Sequence, residues 1–164
     1  MTITINSAGS LLLIFGIIFV VIILSMLLKK GDLRKKLLSL GMLIVIFAFT
    51  FFMFSRPSQL TIDDEGVEST SYGKISFDWN EVEKALIIED YQDTGFKPLV
   101  KLNGTAVKNF RAGSFKLSNG ENVKLITQSA EDAAVFYTDK NIYLIAVDEL
   151  KAFIDVASEY IDFK

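Results

Sequence analysis

Two uncharged apolar runs constrain this chain more than anything else in it. LLLIFGIIFVVIILSMLL covers residues 11–28 and LLSLGMLIVIFAFTFFMF covers residues 37–54. At a rise of about 1.5 Å per residue each would make a helix roughly 27 Å long. That is close to the hydrocarbon thickness of a bilayer, about 30 Å, and lipid leaves no water for unpaired backbone groups. The runs are apolar all round, without the polar stripe of a surface helix. Residues 1–56 are therefore expected to form a transmembrane helical hairpin. Residues 1–10 carry no Lys or Arg, so the first run lacks the basic flank of a cleaved signal peptide and is expected to be retained. Gly16, Ser25, Ser39, Gly41 and Ala48 are the small residues that would let two such helices approach.

The segment between the runs, residues 29–36, holds Lys29, Lys30, Arg34, Lys35 and Lys36 against the single acid Asp32. Basic loops next to membrane spans stay in the cytoplasm. These five residues act as topology determinants: they predict an integral membrane protein with a cytoplasmic loop and an extracytoplasmic C-terminal domain. The alternative orientation puts that domain in the cytoplasm.

Residues 57–164 form the rest of the chain, enough for one small domain with its own core. They carry 11 basic and 19 acidic residues, a net of −8, whereas residues 1–56 carry six and one, a net of +5. An acidic domain speaks against nucleic acid as a partner. No Cys is present, which removes thiol and disulfide chemistry, and no His, which removes the commonest general base and metal ligand. No spacing of Ser, Lys and Asp makes up for these losses, so neither a catalytic residue, a cofactor nor a metal is expected. The acidic triplet Asp63, Asp64, Glu65 lacks the spacing of a calcium loop and is read as a surface turn.

After Pro57 the hydrophobic period falls to two. Strands are expected at 59–62, 67–72, 74–79, 85–89 and 98–102, with one helical turn or a bulge at 80–83 and a polar loop at 91–97. Asn103-Gly104 is a strong turn signal. Two hairpins follow: 114–118 with 122–127 around Asn119-Gly120, and 133–138 with 142–147 around Asp139-Lys140-Asn141. A terminal helix is expected over 148–162, with Asp148 as its cap and Leu150, Phe153, Ile154, Ala157, Tyr160 and Ile161 on one apolar face. Short strands followed by one amphipathic helix make a mainly-β barrel or sandwich capped by a C-terminal helix.

Asn103-Gly104, Gly113-Ser114-Phe115, Asn119-Gly120 and Phe153, with GKISFDW upstream, resemble the pattern of bacterial pleckstrin-homology-like (PH-like) domains of small two-helix membrane proteins. The resemblance spans roughly residues 59–162. It implies a PH-like fold and no enzymatic role. Phosphoinositide-binding members resemble one another in placing Lys and Arg in the first strand-to-strand loop. This chain has carboxylates there, which would repel phosphate.

One stretch stands out against the acidic background. Lys97, Lys101, Lys108, Arg111, Lys116 and Lys124 meet one acid, Glu121, between residues 97 and 124. Lys101, Lys108, Arg111, Lys116 and Lys124 form a candidate ligand or partner face. The competing explanation is that they are simply the solvent side of ordinary strands. The function expected is a membrane-anchored, non-catalytic binding or scaffolding module that recognises a protein or cell-envelope component near the bilayer. The alternative is an accessory subunit of a larger membrane complex. The partners expected are the bilayer, through the hairpin, and a protein.

Overall fold

The computed structural model describes residues 1–5, 9–28, 33–54, 58–70, 75–107 and 109–164; the side chains of residues 5, 9–15, 26–28, 33–38, 51, 53, 54 and 58 are outside this description. The chain forms two compact units. One is residues 6–57, and the other joins residues 1–5 to residues 58–164.

The first unit is a helical hairpin of α1 (Gly9–Leu28) and α2 (Leu33–Phe54). Phe19 and Phe47 stack with ring centroids 4.1 Å apart. Gly16 and Gly41 have open space where a Cβ would stand, so the aromatic pair, not these glycines, forms a helix contact. The Ser25 and Thr50 hydroxyls donate back to the carbonyls of Ile22 and Ile46 at 2.8 Å, so neither is left unpaired on an apolar helix. Ile18, Val21, Met42, Val45 and Phe49 are among the exposed side chains.

Among the described residues, no helix is long and apolar enough to cross a membrane. This overturns the expected transmembrane hairpin, and with it the integral membrane location and its orientation. The expected loop 29–36 is also shorter than read. α2 already begins at Leu33, so Arg34, Lys35 and Lys36 occupy its first turn, while Lys29 and Lys30 lie outside the described residues.

The second unit is a sandwich. Its smaller sheet has the order β1-β2-β3-β4, from β1 (Thr2–Ile5), β2 (Ser58–Ile62), β3 (Gly66–Ser69) and β4 (Ser76–Asp78). The pairing of β1 with β2 is the least expected feature. Thr2 lies opposite Thr61 and Ile5 opposite Ser58, so the hairpin unit is inserted between two adjacent antiparallel strands. Ile3 is 1 % exposed and packs with Leu60 and Ile62. Asp63 Oδ1 accepts from the N–H groups of Glu65 and Gly66, both at 3.1 Å, which organises the acidic triplet as the expected turn.

The larger sheet has the order β5-β9-β10-β8-β7-β6. Its strands are β5 (Val82–Ile88), β6 (Pro98–Val107), β7 (Phe110–Leu117), β8 (Asn122–Thr127), β9 (Ala133–Thr138) and β10 (Ile142–Ala146). The turns at Asn119-Gly120 and at 139–141 form as expected, Thr138 N–H donating to Asn141 O at 3.0 Å. Asn103-Gly104 is not a turn. β6 runs straight through it, and Gly104 faces Gly113 across the ladder, both at positive φ. A Cβ on either would strike the opposite backbone, so the glycine freedom is spent on a close approach of two strands.

One face of the large sheet packs on the small sheet and on α3 (Leu150–Ala157). Phe77, Trp79, Phe136, Tyr143 and Phe153 meet there, and Tyr143 donates to Ser76 O at 3.1 Å. α3 is shorter than the expected 148–162. Ser158 Oγ takes the Ile154 carbonyl at 2.7 Å, and the chain then turns so that Tyr160 stacks on Trp79. The other face buries Tyr91, Phe115, Leu117, Val123, Leu125, Val135 and Leu144.

Three predictions follow from this packing. Ile3→Ala, though separated from Leu60 by the whole hairpin unit, lowers stability by about 2–4 kcal/mol, read by urea unfolding with Trp79 fluorescence. Gly113→Ala costs at least about 1 kcal/mol in the same assay, through its positive φ and its contact with Asn103 O. The third concerns the surface ion pair of Lys140 Nζ with Glu81 Oε1 at 2.8 Å. The hydrogen bond and charge of Lys140 hold the Glu81 carboxyl below the usual glutamate range. The hydrogen bond that Lys140 donates to Glu81, then the charge of Asp139, hold Lys140 above the usual lysine range. The pair thus stabilises the fold between the two ordinary values, loses its effect in acid as Glu81 protonates, and loses it in alkali as Lys140 deprotonates. Lys140→Met returns the Glu81 midpoint upward to the ordinary range in an NMR carboxyl titration.

Candidate functional site

The site is built by two long connections that the strand order forces. β5 and β6 are consecutive in the chain yet lie at opposite edges of the large sheet. Five strand spacings are about 24 Å, and the nine residues 89–97 reach at most about 30 Å, so the connection runs across the sheet face rather than looping free. This is why Tyr91, expected in a polar loop, is fully buried. Gln92 Nε2 donates to its hydroxyl at 3.1 Å. β8 and β9 are likewise separated by β10, which inserts between them parallel to β8. Residues 128–132 must step over the end of β10. They do so with the Gln128 N–H on Ala146 O at 2.6 Å and the Asp148 N–H on Gln128 Oε1 at 3.3 Å.

The two connections meet. Tyr91 N–H donates to Glu131 O and Asp90 N–H to Asp132 Oδ1, each at 3.1 Å. Asp90 adopts a left-handed conformation, φ 50°, the only positive φ among the described non-glycine residues. Where they meet, a polar cleft of about 330 Å³ opens, lined by Asp90, Gln92, Asn109, Arg111, Gln128 and Glu131 among others. Asn109 Nδ2 donates to Ser129 Oγ at 3.2 Å, tying the β6–β7 turn to the crossover. Arg111, at the start of β7, has neither an ion pair nor a side-chain hydrogen bond among the described residues.

The basic residues of the 97–124 stretch are divided by the pleat. Ala112 and Ile126 belong to the face packed on the small sheet, and Phe115, Leu117, Val123 and Leu125 to the opposite face. Alternation then places Lys116 and Lys124 on the first face and Arg111 on the second. Lys124 stands over the Tyr143 ring, 5.6 Å from its centroid, and Lys116 lies opposite Val100 of β6. Lys101 is exposed on β6, and Lys108 lies outside the described residues. Asp90, Gln92, Gln128 and Glu131 were not singled out in the sequence. The signal that could have pointed to them is Tyr91, a large aromatic within a polar loop.

β6 is one edge of the large sheet, and Leu99, Val100 and Leu102 on it are 61 %, 53 % and 54 % exposed. The other edge, β5, is treated differently. Phe163 bridges to Ala85 and Lys164 N–H donates to Ala85 O at 3.1 Å, so the C-terminal residues cover it at its middle. No group of acidic residues among those described is arranged to hold a metal.

The sequence model of the bacterial PH domain matches residues 60–159, more than half of the chain. No curated protein and no solved structure matches it. PH domains are generally non-catalytic binding modules for proteins or lipids. The stretch matched runs from β2 to just past α3 and takes in both sheets and the cleft, so the chain belongs to the bacterial PH domain family.

Proposed function

We propose that this chain is a non-catalytic module that binds a protein partner along the open edge strand β6, accepting an extended acidic segment as an added strand. The observation that carries the reading is the contrast between the two edges of the large sheet: β5 is covered by the chain's own C-terminal residues, while β6 exposes Leu99, Val100 and Leu102. An uncovered edge offers a row of backbone donors and acceptors, and added strands bind through them. Exposure of the consecutive residues Leu99 and Val100 leaves apolar contact available on both sides of the strand.

Charge selects the occupant. Lys101 on the edge pairs with Phe115 and Lys116 on β7 pairs with Val100, so a basic residue flanks the edge on each face, with Lys124 one strand further in on the Lys116 face; this makes a basic margin in a domain of net −8. Such a margin favours an acidic segment and raises its rate of encounter. The ladder of β6 with β7 shifts register between Pro98 and Val100 and again between Lys101 and Asn103. These irregularities discourage unselective pairing along the whole edge and leave partner choice to side chains.

A photo-crosslinking residue at Leu102 should give a discrete protein adduct in cells producing the full chain, and the same residue at Lys84 on the covered edge should not. Lys116→Glu with Lys124→Glu should cut the adduct by about tenfold. Equal adducts from both edges would defeat the proposal, and an adduct of the mass of two copies would replace the acidic partner by a second copy.

A further inference from the structure

We infer that the Arg111 cleft is a binding site for a small zwitterion, a carboxylate paired with an ammonium group as in an α-amino acid or a short peptide. It lies on the opposite face of the sheet from Lys116 and Lys124 and does not rest on the strand-addition reading. Its hydrogen-bonding inventory divides by sign. On the donor side, Arg111 is half-buried with no partner for its guanidinium among the described residues. Gln128 has its carbonyl oxygen engaged by the Asp148 N–H, so its NH₂ group remains to donate. A planar carboxylate matches a guanidinium fork in two parallel hydrogen bonds.

On the acceptor side, the amides of Asn109 and Gln92 have spent an N–H on Ser129 and Tyr91, which leaves their carbonyl oxygens as acceptors. The carboxylates of Asp90 and Glu131 also line the cleft, and both are exposed. Asp90 N–H is held by Asp132, fixing the residue while its own carboxylate stays uncommitted. Two carboxylates beside one guanidinium disfavour a phosphate or other multivalent anion and favour a ligand that brings a positive group of its own. A volume of about 330 Å³ suits a molecule of amino-acid or dipeptide size. Thr127, fully buried, has a hydroxyl without a partner among the described residues and lies directly opposite Arg111 in the β7–β8 register, on the same face. The arginine is thus backed by a further polar group that the fold leaves unsatisfied.

The test uses the full chain labelled with ¹⁵N. The probes are the twenty standard amino acids singly and the dipeptide alanyl-alanine, with N-acetyl-alanine and alanine amide as controls lacking one charge each. Binding is expected to move the Arg111 Nε–H signal and the side-chain amide signals of Asn109 and Gln128. Arg111→Gln, and separately Glu131→Gln, should each weaken the best probe by about tenfold or more. Binding of free amino acids alone identifies a metabolite-sized ligand; binding of the dipeptide alone identifies a peptide end. No binding of any probe up to about 10 mM overturns the inference. So does equal binding of the two controls, or an unchanged affinity in both variants while the spectrum shows an intact fold.

Discussion

The aromatic seam between the two sheets is the interaction on which the sandwich depends. Phe77 and Trp79 come from the small sheet and the turn after it, and Phe136 and Tyr143 from the large sheet. Their ring centroids lie 4.7–6.2 Å apart in tilted and edge-on arrangements. Aromatic pairs of this kind add about 0.5–1.5 kcal/mol each beyond their burial. The seam also fixes the angle at which α3 and the last residues close the core, since Phe153 and Phe163 both approach Phe136 edge-on. Burial pushes the Tyr143 hydroxyl above the usual tyrosine range, so it remains a neutral donor to Ser76 O and spans the sheets at its polar end.

That seam makes the insertion between β1 and β2 tolerable. Closing a flexible loop of 52 residues costs about 3.5 kcal/mol in chain entropy, a sum that grows slowly with length. Most of the insertion is not free chain, because α1 and α2 are helices and Phe19 of one stacks on Phe47 of the other. The four-residue strand β1 could not hold its place alone. Ile3 enters a core already formed by Leu60, Ile62 and Phe77, and the ladder to β2 satisfies its backbone. The small sheet is thereby completed by residues that the sequence separates from it by two helices.

Local patterns were legible and long-range pairings were not. The period-2 runs and the Asn119-Gly120 and 139–141 turns all follow from chemistry within a few residues, and of the helical turn or bulge expected at 80–83 the chain forms the helical turn, at Trp79–Glu81. Asn103-Gly104 shows where such a signal misleads. It reports that a positive φ is permitted, and the chain uses that freedom to bring Gly104 against Gly113 instead of reversing direction. Met1–Ile5 carries only four strand residues and no partner nearby, so nothing local assigns it to a sheet. The apolar runs read as membrane spans by length, lack of charge and all-round apolarity; no described helix is long and apolar enough to cross a membrane, and the basic loop is partly helix.

The cleft was hidden for a different reason. Its residues come from three segments, and what joins them is the strand order of the large sheet. Placing β10 between β8 and β9, and β5 and β6 at opposite edges, obliges two connections to cross the sheet and meet. The sequence does show a run of basic residues around Arg111, but a run in a β-sheet protein is not a face. Side chains alternate, so Arg111 and Lys116, an odd number of positions apart, emerge on opposite sides of one strand. The pleat thus converts a single basic stretch into two chemically distinct places. At the rim beside β6, Lys116 meets an open edge and solvent. At the start of β7, Arg111 meets two crossovers that supply carboxylates and amides. A cation among solvated neighbours can do little more than attract, whereas a half-buried one among fixed donors and acceptors can select.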